Sequence, residues 1–120
     1  MITLFSYDGN PVAYIADDPE HSIYLCNGTP VAYMVGNEVY GYNGIHLGWY
    51  ENDIMWDLYG FRIGFSKETC PNISFPVPDT FPNPLNGDKL VRAVSKVKPA
   101  FVLLRSHQVL EDFLSLGSNN

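Results

Sequence analysis

The sequence predicts a mainly β fold: four β-hairpin repeats around a pseudo-four-fold axis, followed by a Pro-rich connector and a short C-terminal helix. Three observations carry this expectation. Aligning the 120-residue chain on Gly9, Gly28, Gly44 and Gly60 brings the residues around each glycine into register. Three of these glycines follow Asp8, Asn27 or Asn43, giving dipeptides that favour tight hairpin turns. Composition also changes after the repeats. All eight tyrosines, both tryptophans and eight of the ten glycines lie within the first 64 residues, whereas five of the nine prolines fall between Pro71 and Pro84.

Four residues before each glycine sits an aromatic: Phe5, Tyr24, Tyr40, Trp56. Three residues after it comes an aliphatic (Val12, Val31, Leu47, Ile63), then a small residue (Ala13, Ala32, Gly48, Gly64), then another aromatic (Tyr14, Tyr33, Trp49, Phe65). A two-residue type I′ turn, with positive φ at both corners, would pair Phe5 with Val12, Tyr24 with Val31, Tyr40 with Leu47 and Trp56 with Ile63. Tyr59-Gly60 is a poorer match to that turn. On the opposite face Leu4, Ile23, Val39 and Met55 would meet Ala13, Ala32, Gly48 and Gly64. A small residue at this position in all four units points to a place where four backbones converge, as at a pseudo-four-fold axis.

Between hairpins, Asn37 and Asn52-Asp53 supply turns, and Ala16–Ser22 is a polar loop enlargement. Eight short strands then form a meander from about residue 2 to 66. So small a sheet buries little surface and leaves exposed edges, so ring closure, the tail or a partner subunit must complete it.

From Cys70 to Pro84 the prolines preclude a central strand or helix, which leaves an extended or disordered connector. Asn86-Gly87 is a turn. Leu90, Val91, Val94 and Val97 fit a helical stripe, but the same segment reads as a strand, and periodicity does not decide. Pro99–Leu104 reads as extended. Ser106 is placed to cap a final helix with Val109, Leu110, Phe113 and Leu114 on its apolar face, Glu111 and Asp112 outward, and Gly117 at its end. That helix is expected to cover the domain or mediate dimerisation, with a partner-binding motif as the alternative. The resulting division is a four-hairpin β repeat domain over 1–66, a Pro-rich linker over 67–88, and a basic segment with the helix over 89–120.

The twice-used run Gly-x-Pro-Val-Ala-Tyr at Gly9–Tyr14 and Gly28–Tyr33, with Val39–Tyr50 and Leu58–Phe65, resembles the four-fold β-flower domain family over roughly residues 4 to 66. The resemblance implies four hairpin petals around a pseudo-four-fold axis. It brings no activity, substrate or catalytic residue with it.

The net charge of −6 is unevenly spread: residues 1 to 61 hold eight acids and no Lys or Arg, and the remainder five acids and seven bases. Lys89, Arg92, Lys96, Lys98 and Arg105 form a run without an acid. Packing of this run against the acidic domain is favoured over a nucleic-acid contact, because a net acidic chain repels phosphate backbones. No stretch approaches the ~18 to 20 apolar residues of a membrane helix, and Met1–Asp8 lacks the basic end and apolar run of a signal peptide, so no membrane contact and a cytoplasmic location are expected. Cys26 and Cys70 are expected to be free thiols. His21, His46 and His107 have no metal-ligand spacing, and nucleophile-elbow, Walker and dinucleotide patterns are absent, so neither metal nor cofactor is expected.

Departures from the repeat supply the candidate site. Two residues after the glycine stand Pro11, Pro30, His46 and Arg62; three before it stand Ser6, Leu25, Gly41 and Asp57. A small hydrolase-like enzyme would use His46 as general base with Asp57 and Arg62. The favoured structural alternative is an Asp57–Arg62 cross-strand ion pair, with His46 filling the gap left by Gly41. Tyr40, Tyr42, Trp49 and Trp56 in an acidic region suit a small cationic ligand, against the plainer reading that alternating aromatics are core. Together Tyr40, Tyr42, His46, Trp49, Trp56, Asp57 and Arg62 are the candidate ligand-binding set. The expected function is a non-enzymatic interaction or ligand-binding module, taking a protein partner, a second copy or a small ligand.

Overall fold

Short strands separated by glycine turns set the path of the chain. The computed structural model describes residues 1–119. Its strands are β1 (Ile2–Phe5), β2 (Pro11–Ile15), β3 (Ile23–Leu25), β4 (Pro30–Val35), β5 (Glu38–Gly41), β6 (His46–Glu51), β7 (Ile54–Trp56) and β8 (Arg62–Phe65), followed by helix α1 (Leu110–Ser115). Each strand pairs antiparallel with the next, and Phe65 of β8 returns opposite Phe5 of β1, closing a barrel. Closure removes the edges that an open meander would expose. The four repeats are the hairpins β1–β2, β3–β4, β5–β6 and β7–β8, here hairpins 1 to 4.

The turns inside the hairpins differ from the expected two-residue type. In each, the glycine amide donates to the residue three before it, and that residue's amide donates to the carbonyl just after the glycine: Gly9 to Ser6 and Ser6 to Asn10, then the same for Gly28, Gly44 and Gly60. Only the glycines have positive φ, from +85° to +93°. This is a three-residue loop, a type I turn closed by a glycine in the left-handed region. Its middle position does not need positive φ, so Tyr59 serves as well as Asp or Asn. Mirror-image geometry occurs between hairpins instead: Asn52 (φ +56°) and Asp53 (φ +61°) link β6 to β7.

The longer loop moves the register near the turn. Phe5 lies opposite Pro11 rather than Val12, Tyr24 opposite Pro30, Tyr40 opposite His46 and Trp56 opposite Arg62. One residue further from the turn the expected pairs return: Leu4–Ala13, Ile23–Ala32, Val39–Gly48 and Met55–Gly64. Val12, Val31, Leu47 and Ile63 are therefore the extra residues of four equivalent β-bulges. A bulge lets two consecutive residues face one side, so Val31 and Ala32 both lie in the core, as do Leu47 and Ile63, with Val12 packed against it.

The two aromatic columns meet between hairpins. Tyr14 pairs with Tyr24, Tyr33 with Tyr40, Trp49 with Trp56 and Phe65 with Phe5. One aromatic pair thus marks each seam of the barrel; the rings of Tyr14 and Tyr24 (5.5 Å) and of Tyr33 and Tyr40 (6.4 Å) meet directly, at about 0.5–1.5 kcal/mol beyond area burial for a well-placed pair.

The small column has a further use. Leu110, Phe113 and Leu114 of α1 are buried in the same core as Leu4, Ile23, Val39 and Met55. Phe113 reaches Gly48, and a Cβ at Gly64 would lie 2.9 Å from Leu110 Cδ1. The glycines thus make room for the helix. Val109, not Ser106, holds the N-cap position and offers no side-chain cap; it is exposed rather than part of the apolar face.

Residues 67–109 form a strap that visits each turn in order. The carbonyl of Gly9 accepts the Ser74 amide (3.3 Å), Gly28 that of Leu85 (2.9 Å), Gly44 that of Ala93 (2.8 Å) and Gly60 that of Val102 (3.0 Å). Two residues before each donor, the carbonyls of Asn72, Asn83, Val91 and Ala100 press on the same glycines, where a Cβ would collide with them. The segment around Leu90–Val97 is neither helix nor strand. With the strap in place the molecule is a disc of 37 × 36 × 22 Å.

Gly44→Ala places a side chain at φ +88° against the Val91 carbonyl and is expected to cost more than about 1 kcal/mol in urea unfolding. Phe113→Ala empties the barrel mouth and is expected to cost about 3–5 kcal/mol.

Candidate functional site

Acceptors for the amide that follows each turn glycine explain one departure from the repeat. Asn27 Oδ1 accepts the Thr29 amide (3.0 Å) and Asn43 Oδ1 that of Ile45 (3.1 Å). In hairpin 1 Ser6 Oγ takes the Asn10 amide at 3.3 Å. Hairpin 4 has Tyr59 in place of Asn, and Asp57 supplies the oxygen: its Oδ1 accepts the amides of Tyr59 and Phe61, both at 2.9 Å. Asp57 Oδ2 accepts the Ser106 hydroxyl at 2.7 Å, tying the strap to the turn. Asp57 is buried, and among the described residues it makes no ion pair with Arg62.

His46 is equally committed. It lies opposite Tyr40 rather than over Gly41, is 1% exposed, and stacks on Tyr40 at 5.0 Å with Trp49 edge-on at 4.7 Å. Its Nδ1 accepts the Lys96 amide at 2.8 Å, which assigns the ring hydrogen to Nε2, donated to the Gly48 carbonyl at 3.0 Å. Burial pushes its pKa below the ordinary value, against the opposing pull of the Gly48 carbonyl and of Glu38, whose Oε2 lies 3.9 Å from Nε2. The ring is neutral and has no free lone pair for proton abstraction.

His46 and Asp57 line one cavity of about 250 Å³ together with Leu47, Tyr59 and Phe113. Arg62 does not line that cavity. Its backbone bridges to the strap through Leu104 and Ser106, and its guanidinium carbon lies 5.8 Å from the centre of the Phe65 ring.

The aromatic members of the candidate set are all buried: Tyr40 4%, Tyr42 3%, Trp49 3% and Trp56 5% exposed. The strap covers their seams. Phe101 stacks on Trp56 at 4.4 Å and 5°, and Phe81 on Tyr14 at 4.8 Å. Lys89 Nζ sits 5.0 and 4.8 Å from the Tyr33 and Tyr42 ring centres, and the Arg92 guanidinium 5.8 Å from that of Tyr40. Lys89 also pairs with Glu20 at 2.9 Å and Lys98 with Glu51. The Tyr40 and Tyr42 rings and the carboxylates of Glu20 and Glu51 are thus engaged by cations of the same chain, while Phe101 packs on Trp49 and Trp56.

What the strap leaves outside is apolar. Val91, Val94 and Val97 are 94%, 90% and 92% exposed. The amides of Leu90, Ala93 and Lys96 point inward, to Tyr42, Gly44 and His46. Inward and outward groups thus alternate every three residues, the period of an extended polyproline-type helix. Sequence templates of 3.6 and 2 have no place for this period, so the valines pass for a helical stripe. Among the described residues no cluster of His, Cys, Asp and Glu could hold a metal, and no helix is long and apolar enough to cross a membrane. Cys26 and Cys70 are free, and burial pushes the Cys26 thiol up, away from the reactive thiolate.

A family model described as "4-fold beta flower protein" matches residues 2–114, so the match extends through the strap into α1. No curated protein and no solved structure matches the chain.

The buried neutral imidazole makes stability pH-dependent. Folded His46 holds a proton less well than the unfolded chain, so the unfolded state binds more protons as pH falls below about 6.5, and stability drops with it. Urea midpoints at neutral and mildly acidic pH are expected to show this loss in the native protein and not in His46→Gln, the difference reaching at most about 1.4 kcal/mol per pH unit.

Proposed function

The chain belongs to the 4-fold beta flower family, and we propose that it serves as a non-enzymatic interaction module whose contact surface is the outer ridge of the strap at Val91, Val94 and Val97. The supporting observation is their exposure of 90% or more on a segment whose backbone is fixed to the barrel every third residue. Burying a valine side chain is worth about 1.5–3 kcal/mol, so three of them in a row supply much of a micromolar contact. The ridge is already ordered, so a partner pays little entropy to meet it.

Charge narrows the partner. Arg92 and Lys96 flank the valines, and among the described residues neither makes an ion pair. Two ridges facing each other would bring like charges together, which disfavours a symmetric pairing through this surface. An apolar or aromatic groove rimmed by carboxylates fits both features, in the manner of grooves that receive extended Pro-rich chains. The hydrolase alternative built on His46, Asp57 and Arg62 has no comparable support, since His46 and Asp57 are occupied by hydrogen bonds to the strap and turn.

A photo-crosslinking residue placed at position 94 in cells, with one at Tyr59 as an exposed control, tests the ridge. A discrete adduct specific to position 94, lost when Val91 and Val97 are changed to Asp and weakened by Lys96→Glu, is expected. Absence of an adduct, or the same adducts from Tyr59, counts against the ridge. An adduct of twice the chain mass replaces the acidic partner with a second copy.

A further inference from the structure

Where the strap passes hairpin 4 it forms a parallel bridge between Arg62 and Arg105, with the Arg62 amide donating to Leu104 and the Ser106 amide to Arg62. Both arginines line one small concavity of about 70 Å³. Each guanidinium rests on an aromatic shelf. Arg105 lies 4.2 Å from the Tyr7 ring centre and Arg62 5.8 Å from that of Phe65, while Tyr7 and Phe65 meet edge to face at 6.1 Å.

Two arginines lining one concavity put like charge in the same place, which an acceptor of opposite charge would offset. Among the described residues neither arginine has one within ion-pair distance, in a chain whose net charge is −6. Arg62 Nε is buried without a hydrogen-bond acceptor, which leaves the terminal nitrogens of its guanidinium to meet any ligand in the concavity. Ser6, Ser106, His107 and Gln108 add polar groups around the same concavity, and Asp8 is the one acidic residue lining it.

From these observations we propose that Arg62 and Arg105 form a binding site for a small oxyanion of the phosphate class. Guanidinium forks match phosphate oxygens two at a time, and stacking on rings holds them in place before the ligand arrives. A concavity of about 70 Å³ is several times the roughly 10–15 Å³ that one water needs, enough for one small tetrahedral group. The bound anion would accept from the terminal N–H groups of the two guanidinium ions and offset their positive charge. The site lies apart from the valine ridge and does not depend on it.

Calorimetric titration with inorganic orthophosphate and with glycerol phosphate at constant ionic strength tests the site. One saturable event per chain is expected, weakened about tenfold or more in Arg105→Gln and in Arg62→Lys, and strengthened in Asp8→Asn, where the opposing charge is removed. Arg105 is exposed, so its variant keeps the fold, and urea unfolding checks this. Glycerol phosphate binding as tightly as orthophosphate identifies a phosphomonoester as the ligand, and orthophosphate alone identifies the free ion. No saturable binding of either, or binding unchanged in Arg105→Gln, overturns the proposal. Val94→Asp binds orthophosphate as the native protein does, which separates this site from the interaction ridge.

Discussion

One surplus residue per hairpin governs the architecture. In a regular strand, successive side chains face opposite sides, and an eight-stranded barrel with strands of three to six residues would have a thin interior. The bulges at Val12, Val31, Leu47 and Ile63 turn two neighbours inward at once. One of the two is large and the other small. The large one fills the wall, and the small one leaves the central space into which Leu110, Phe113 and Leu114 descend. Bulge, glycine column and helix are therefore a single solution to filling a small barrel, and none of them is satisfactory without the others.

The outside is organised by the same four-fold pattern. Each seam carries an aromatic pair, and each turn glycine offers a carbonyl and a bare Cα to the strap. The strap answers with matching contacts at intervals of 8 to 11 residues, at Ser74, Leu85, Ala93 and Val102. Positive φ alone would admit Asn at these turns; the approach of the strap carbonyl restricts them to glycine. The acidic barrel and basic tail are for the same reason halves of one structure, joined by Lys89 with Glu20, Lys98 with Glu51, and cations over Tyr7, Tyr33, Tyr40 and Tyr42.

Hairpin number and the pairing of large with small residues were legible in the sequence, because glycine and aromatic columns recur four times. The bulges were not. A bulged valine and a paired valine are both buried aliphatics, and the wrong turn length cancels the missed bulge at Leu4–Ala13, so the pattern looks consistent. The chemistry of His46 and Asp57 was hidden for a different reason. Their partners, the Lys96 amide and the Ser106 hydroxyl, lie about fifty residues away along a segment that itself reads as a linker. Residue types that signal catalysis were present, but the groups that occupy them could be seen only once the strap was placed.

Plugging the barrel with α1 has a consequence for the order in which the chain acquires structure. Residues near position 110 complete a core whose other walls begin at Leu4, so the last contacts close loops of about a hundred residues. Such long-range closure is slow compared with forming a single hairpin, which takes microseconds. On a ribosome all four hairpins emerge before the segment that fills them. Until then the inward valines and the seam aromatics face water, a state prone to stick to its neighbours. The strap, with its prolines and charges, is the next segment to appear, and it reaches the turns and seams before the helix does; covering them early would shield the incomplete barrel while its interior waits to be filled.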